Sequence, residues 1–237
     1  MANFDDQVMG LTGLTISGSS TTPSQAELST FLNDGVIDVT NRVIMVRPQD
    51  IDNFLRESGE QTSNGFNPGS SRIVSVVRED GTNNRWYPCR KSSMNFRYRV
   101  TDPESLNYAS KYNPVYMISQ NRNVHVFPEP SSAGNDTFKV LYVNYSPEES
   151  DGTALIHSSS GIKWFPDDKV YLVIIYAAIK SLETKMASYA IDDEDVELVQ
   201  GIASNIASLK AQYETTFQMM MPPQARQPQQ PQRRARA

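Results

Sequence analysis

From Val170 to Phe217 apolar residues recur every three or four positions, broken only near the acidic run Asp192-Asp193-Glu194-Asp195. That period commits the stretch to helix, because positions three and four apart lie above one another on one helical face. Leu172, Ile175, Ile179, Leu182 and Met186 mark one seam, while Val170, Val173, Ile174 and Ala177 make the first half apolar nearly all round. A helix of that kind predicts full burial. Phe165-Pro166-Asp167-Asp168 opens it, with a proline suited to a first turn and two acids that favour the positive end of the helix dipole. Val199, Ile202, Ile206, Leu209 and Tyr213, with Phe217 beyond, mark a second seam after the acidic run. A short turn near Tyr189 to Ile191 then joins two antiparallel helices into a hairpin over residues 162–220.

The same period appears once more near the N-terminus. Pro23 followed by Ser24-Gln25-Ala26-Glu27 reads as a helix start at Thr22 or Ser24 with a capping box, and Leu28, Leu32, Val36, Val39, Val43 and Val46 step along one face until Pro48. A short second helix is expected from about Gln49 to Glu57, which completes an N-terminal helical section over residues 23–60. Residues 1–22 mix Gly10, Gly13 and Gly18 with Ser, Thr and alternating Met9, Leu11, Leu14 and Ile16, a composition that predicts an extended arm on a neighbouring surface.

Between the helical sections the period drops to two. RIVSVVR, RWYPCRK, FRYRV, PVYMIS, VHVF and TFKVLYVNY are β-branched and aromatic runs separated by turn residues, which predicts an antiparallel section of four to six strands over residues 70–147. Asp80-Gly81 and Gly134-Asn135 supply turn chemistry, and Pro88, Pro114 and Pro128 belong at strand ends or edges because proline cannot donate to a ladder. The fold class is therefore α+β: helices at both ends of the chain and an inserted antiparallel β section. Residues 221–237, MPPQARQPQQPQRRARA, carry four arginines and no acid, a composition that builds no core and predicts a flexible basic tail that docks on a partner.

Chemistry-bearing patterns are sparse. The single cysteine, Cys89, allows no internal disulfide, and the opening MANFDDQ has no basic region leading an apolar run, so a reducing cytoplasm is the expected folding compartment. The longest apolar stretch, Val170 to Ile179, is about half of a bilayer crossing, so no membrane partner is expected. His125 and His157 are the only histidines, and no GxSxG, HExxH, CxxC or phosphate-binding glycine loop is present; no enzyme activity, cofactor or metal is expected. The acids at 192–195 read as helix-dipole partners, since a calcium loop needs a glycine turn and a distal glutamate. One alternative stays open. Arg72, Arg78, Arg85, Arg90, Lys91, Arg97 and Arg99 alternate with Trp86, Tyr87, Phe96 and Tyr98, the residue mixture of a sheet that binds single-stranded nucleic acid. A net charge of -5 argues against a global attraction for nucleic acid.

The order of helix pair, β insertion, long helix pair and C-terminal extension resembles the head-to-tail adaptor proteins of tailed bacteriophages. ELSTFLNDGVIDVTNRV in the first helix, and Trp164-Phe165-Pro166-Asp167-Asp168 followed by LVIIYAAIKSLETKMA and a last amphipathic helix, carry the resemblance across residues 23 to 220. It implies a structural virion protein, assembled in the host bacterial cytoplasm, that forms a ring of twelve copies between the portal protein and a downstream tail or nozzle protein. Double-stranded DNA passes through such a ring without specific binding during genome ejection, and an acidic wall suits that passage. The resemblance further implies that Met221, Pro222, Pro223, Arg226, Arg233, Arg234 and Arg236 dock on the portal. Subunit packing is expected on Leu172, Ile175, Ile179, Leu182, Ile202, Ile206, Leu209 and Tyr213. A tail terminator or another non-catalytic virion component is the other structural role compatible with this layout.

Overall fold

The computed structural model describes residues 2–19, 22–81, 85–131, 136–192 and 196–221. The chain is mixed α+β, with five α-helices and seven strands among the described residues. The helices are α1 (Phe4–Thr12), α2 (Gln25–Val46), α3 (Arg97–Thr101), α4 (Val170–Asp192) and α5 (Val196–Met220). The strands are β1 (Leu55–Glu57), β2 (Arg72–Glu79), β3 (Trp86–Pro88), β4 (Arg90–Lys91), β5 (Val115–Ile118), β6 (Val124–Phe127) and β7 (Phe138–Val143).

α4 is the centre of the helical layer. It packs against α1, α2 and α5, which explains why its first half is apolar on nearly every side: Leu172, Val173, Ala177, Ala178 and Leu182 are all buried. α2 starts as its sequence requires, with Ser24 Oγ accepting from the Glu27 amide and Glu27 Oε2 accepting from the Ser24 amide at 2.7 Å. Gly35 lets α2 approach α4: a Cβ there would stand 3.1 Å from Tyr176 Cδ1, 3.2 Å from Val173 Cγ1 and 3.3 Å from the Val173 carbonyl oxygen.

The extended arm expected over residues 1–22 is helical in its first half. Residues 4–12 form α1, with Phe4 and Val8 completely buried in the same core as Leu28, Leu32 and Leu172. The alternation that suggested an extended chain misses Phe4 and Val8, which are four apart and set the helical face. The amides of Phe4 and Asp5 donate to the carbonyls of Ser159 and His157, both at 3.0 Å, so the 156–160 loop satisfies the first turn in place of a side-chain cap. Gly13, at φ 68°, ends the helix in the left-handed conformation that glycine tolerates.

Three further expectations are corrected. The segment after Pro48 is a 3-10 helix, Pro48–Phe54, and Leu55–Glu57 is β1 rather than helix, because it pairs with β7 through Leu55↔Val143 and Glu57↔Leu141. FRYRV is not a strand. Phe96 ends a 3-10 turn and Arg97–Thr101 is α3, since only Val100 of that run is drawn into a core and among the described residues no strand pairs with it. The chain does not turn at Tyr189–Ile191 either; α4 continues to Asp192, and residues 193–195 lie outside the described ones.

The strands form two sheets, in the orders β1-β7-β2-β3 and β4-β5-β6, antiparallel throughout but for β4 with β5. The two sheets are joined on both sides. β3 continues through Cys89 into β4, changing partner from β2 to β5. Beyond β1 the chain follows β7 as far as Gln61↔Phe138 and then crosses to β6 at Phe66↔Val124. The pairings thus close on themselves like a small barrel and leave few free edges. Val76, Tyr116, Val124, Val126, Phe138 and Val140 fill the inside. Leu55, Val74 and Val143 pack instead against the helical core, and Val115, Met117 and Phe127 face Val100, Ala109 and Met94 on the third side. Pro88 ends β3, Pro114 precedes β5 and Pro128 follows β6.

Candidate interaction surfaces

The residues expected to pack subunits together are core residues of this chain. Leu172, Ile175, Ile179, Leu182, Ile206, Leu209 and Tyr213 are buried between the chain's own helices, and Ile202 is half-buried against them. The 3.6-residue period marked a buried face correctly, but burial by α1 and α2 of the same chain consumes it. Of the tail residues, Met221 is 53% exposed, whereas Pro222, Pro223, Arg226, Arg233, Arg234 and Arg236 lie outside the described residues.

Tyr213 anchors the contact between α2 and α5. Its hydroxyl donates to Asp38 Oδ2 at 2.7 Å; Arg42 binds the same carboxylate at 2.9 Å and Glu214 at 2.6 Å while stacking over the Tyr213 and Phe217 rings. Burial, reinforced by the Asp38 hydrogen bond, pushes the Tyr213 phenol well up from its ordinary value, so it stays a donor. Lys210 and Lys180 bracket Glu183 at 2.8 and 3.0 Å; the Lys210 pair fastens α5 to α4, and the Lys180 pair lies within α4.

The groups that suggested reactivity are separated from one another. His125 lies in β6 opposite Met117, while His157 Nδ1 faces Asp5 Oδ2 at 3.5 Å between the 156–160 loop and α1. Ser159 is buried and donates to Glu149 Oε2 at 2.8 Å, so it forms no nucleophile pair with His157. Burial pushes the Cys89 thiol up to about 12, against a lesser opposing pull from Arg78. A thiol in that state supplies almost no nucleophilic thiolate. Among the described residues no three His, Cys, Asp or Glu side chains converge to hold a metal ion, and no helix is long and apolar enough to cross a membrane.

The basic aromatic sheet does not form as one surface. Arg78 is buried, donating to the Pro128 and Glu79 carbonyls and facing Asp136 at 3.5 Å, and its burial lowers its pKa. Trp86 is half-buried under the Lys139 ammonium, 4.7 Å from the ring centre. Phe96, Arg97, Tyr98 and Arg99 leave the sheet altogether.

They form instead an exposed ledge across residues 94–112. Phe96, Tyr98, Leu106, Tyr108 and Tyr112 are 44, 86, 105, 40 and 60% exposed. Arg90, Lys91, Arg97 and Arg99 are exposed in or just before this stretch, Arg99 over the Phe96 ring. Val100 and Ala109 pin the ledge to the outside of β5 and β6, the Ala109 amide donates to the Val100 carbonyl, and Arg90 donates to the Asn107 carbonyl. The turn-rich stretch DPESLNYASKYN makes the exposure of Leu106, Tyr108 and Tyr112 legible in the sequence, whereas Phe96 and Tyr98 fall in FRYRV, which reads as a strand.

Two further surfaces lie on the helical layer. Met45 and Met219 are 82 and 77% exposed, at the ends of α2 and α5 that Arg47 ties together by donating to the Met220 carbonyl at 2.6 Å. An open groove of about 460 Å³ runs between Gly13, Leu14, Leu182, Leu198 and Ile202, with Glu197 on its wall. Exposed apolar surface grouped in this way marks contact with other molecules more readily than scattered single residues do. No family model matches this chain, and no curated protein matches its sequence.

Proposed function

We propose that the protein is a structural, non-catalytic virion component that forms a ring at the head-tail junction of a tailed phage, joining the portal to the tail around the DNA channel. On this reading the helical layer is a bundle, α4 and α5 are its hairpin, and the β section is the part inserted toward the tail. One observation carries it. The most exposed apolar side chains, Leu106, Tyr98, Met45, Met219 and Tyr112, lie on the ledge and on the methionine-bearing end of α2 and α5, and the basic sequence 222–237 follows that second surface in the chain. A protein with a well-filled interior and two such surfaces is built to be held between partners.

Electron microscopy of the purified chain, alone and mixed with portal protein, is expected to show closed rings of twelvefold symmetry. Deleting Pro222 to Ala237 is expected to leave the circular dichroism and melting temperature unchanged while removing portal binding. A chain that remains monomeric in the presence of the portal overturns the ring, and normal docking of the truncated chain overturns the role of the tail.

A further inference from the structure

Resting on the ring reading, we infer that the contact which builds the ring is head to tail, the basic aromatic ledge of one copy seating in the α1–α4–α5 groove of the next. Two surfaces of one chain then complement each other rather than themselves. That is the arrangement which generates rings or filaments, whereas a self-complementary patch stops at a dimer.

Charge points to the occupant. Residues 1–60 and 144–221, which hold all the helices but α3, carry 21 acidic and 8 basic side chains, whereas residues 61–143 carry 10 basic and 6 acidic. The chain is thus polar end to end, and the acidic partner that the ledge requires is present in every copy. The groove has matching chemistry: Leu14, Leu198 and Ile202 offer an apolar floor and Glu197 an anionic wall, next in sequence to the acids 192–195. Its volume of about 460 Å³ is open to solvent and accommodates one or two large side chains. On the ledge, Leu106 and Tyr98 project furthest, and Arg97 and Arg99 stand beside them. Arg97 is half exposed, lies over the Phe127 ring at 5.7 Å and reaches Glu129 only at 4.0 Å, so no close ion pair within the chain neutralises it.

A nucleic acid is the competing polyanion, and the ledge suits it less. Arg99 lies over the Phe96 ring and the Lys111 ammonium over the Tyr112 ring, so cations already cover faces on which bases would stack. Asp102 and Glu104 interrupt the positive surface, and the fully exposed aliphatic Leu106 finds no partner on a phosphate backbone.

Two full-length variants test the contact. Arg97→Glu with Arg99→Glu destroys the ledge and keeps the groove; Glu197→Lys with Leu198→Asp destroys the groove and keeps the ledge. By light scattering after gel filtration, each alone is expected to be monomeric, with self-association weakened at least about tenfold. Their mixture is expected to give one-to-one dimers that grow no further, since each pair retains one intact ledge and one intact groove. Leu106→Asp, at a fully exposed position that does not support the fold, is expected to behave as the first variant does. Rings that persist in both variants overturn this inference and leave the ring reading standing. Dimers in the mixture without closed rings in the unaltered chain support the contact and overturn the ring. A chain that never self-associates overturns both, and loss of single-stranded oligonucleotide binding in the ledge variant, with assembly intact, assigns the ledge to nucleic acid instead.

Discussion

Gly35 shows how a single atom sets the distance between two helices. Its missing Cβ would stand 3.1 to 3.3 Å from Tyr176 and Val173, and one of those neighbours is a backbone oxygen that cannot rotate aside. Gly35→Ala gains about 1 kcal/mol of helix propensity and loses a similar amount to crowding, so urea unfolding is expected to place it near the parent. Gly35→Val adds two methyls to the same gap and is expected to cost about 2–3 kcal/mol. A stabilised Gly35→Val would mean that α2 and α4 are not in close contact. Tyr213 acts through direction as much as volume. Tyr213→Phe keeps the ring under Arg42 but removes the donor to Asp38, and because Arg42 still holds that carboxylate the expected loss is about 1–2 kcal/mol.

At the scale of elements, α1 is the least expected and among the most telling. Phe4 and Val8 close one side of the α4 core, and the loop at 156–160 caps their helix. Phe4→Ala is expected to cost about 3–5 kcal/mol, as for a fully buried aromatic; a change below 1 kcal/mol would show that α1 is dispensable. The α4–α5 contact carries a pH signature. Burial alone would raise the Glu183 pKa, but hydrogen bonds from Lys210 and Lys180 outweigh it and hold the carboxylate below its ordinary value of 4.5. A group depressed in the folded state stabilises fully above its unfolded value, and that contribution disappears as pH falls through the folded one. Melting temperatures are therefore expected to fall on acidification below about pH 4.5, with a shallower fall in Glu183→Gln. The partners are half-exposed, so the effect is small, on the order of 0.5–1 kcal/mol. Identical acid profiles for the two proteins would remove this attribution.

For the whole molecule the governing quantity is the separation of charge between the helical layer and the β section. If copies meet through it, association strengthens at low ionic strength and weakens as the Debye length contracts from about 30 Å at 0.01 M to about 8 Å at 0.15 M salt. Sedimentation at both salt concentrations is expected to show larger assemblies at the lower one. A salt-independent size would assign cohesion to apolar contact alone.

The helical faces of residues 25–46 and 170–217, the strands at 72–79, 115–118, 124–127 and 138–143, the capping box at Ser24 and the proline positions are legible in the sequence because each depends on neighbours within a few residues. What the seams would face was not legible. Leu172, Ile179 and Tyr213 carry the same periodic signal whether α1 and α2 or a second copy buries them, and only the folded chain shows that its own helices do. The same holds for FRYRV, residues 96–100, where β propensity predicted a strand but among the described residues no strand pairs with it. Closure of the two sheets, the place of α1 and the exposure of the 94–112 ledge all depend on pairings between residues far apart in the chain. Local pattern fixes which side of an element is apolar; tertiary packing decides what, if anything, covers it.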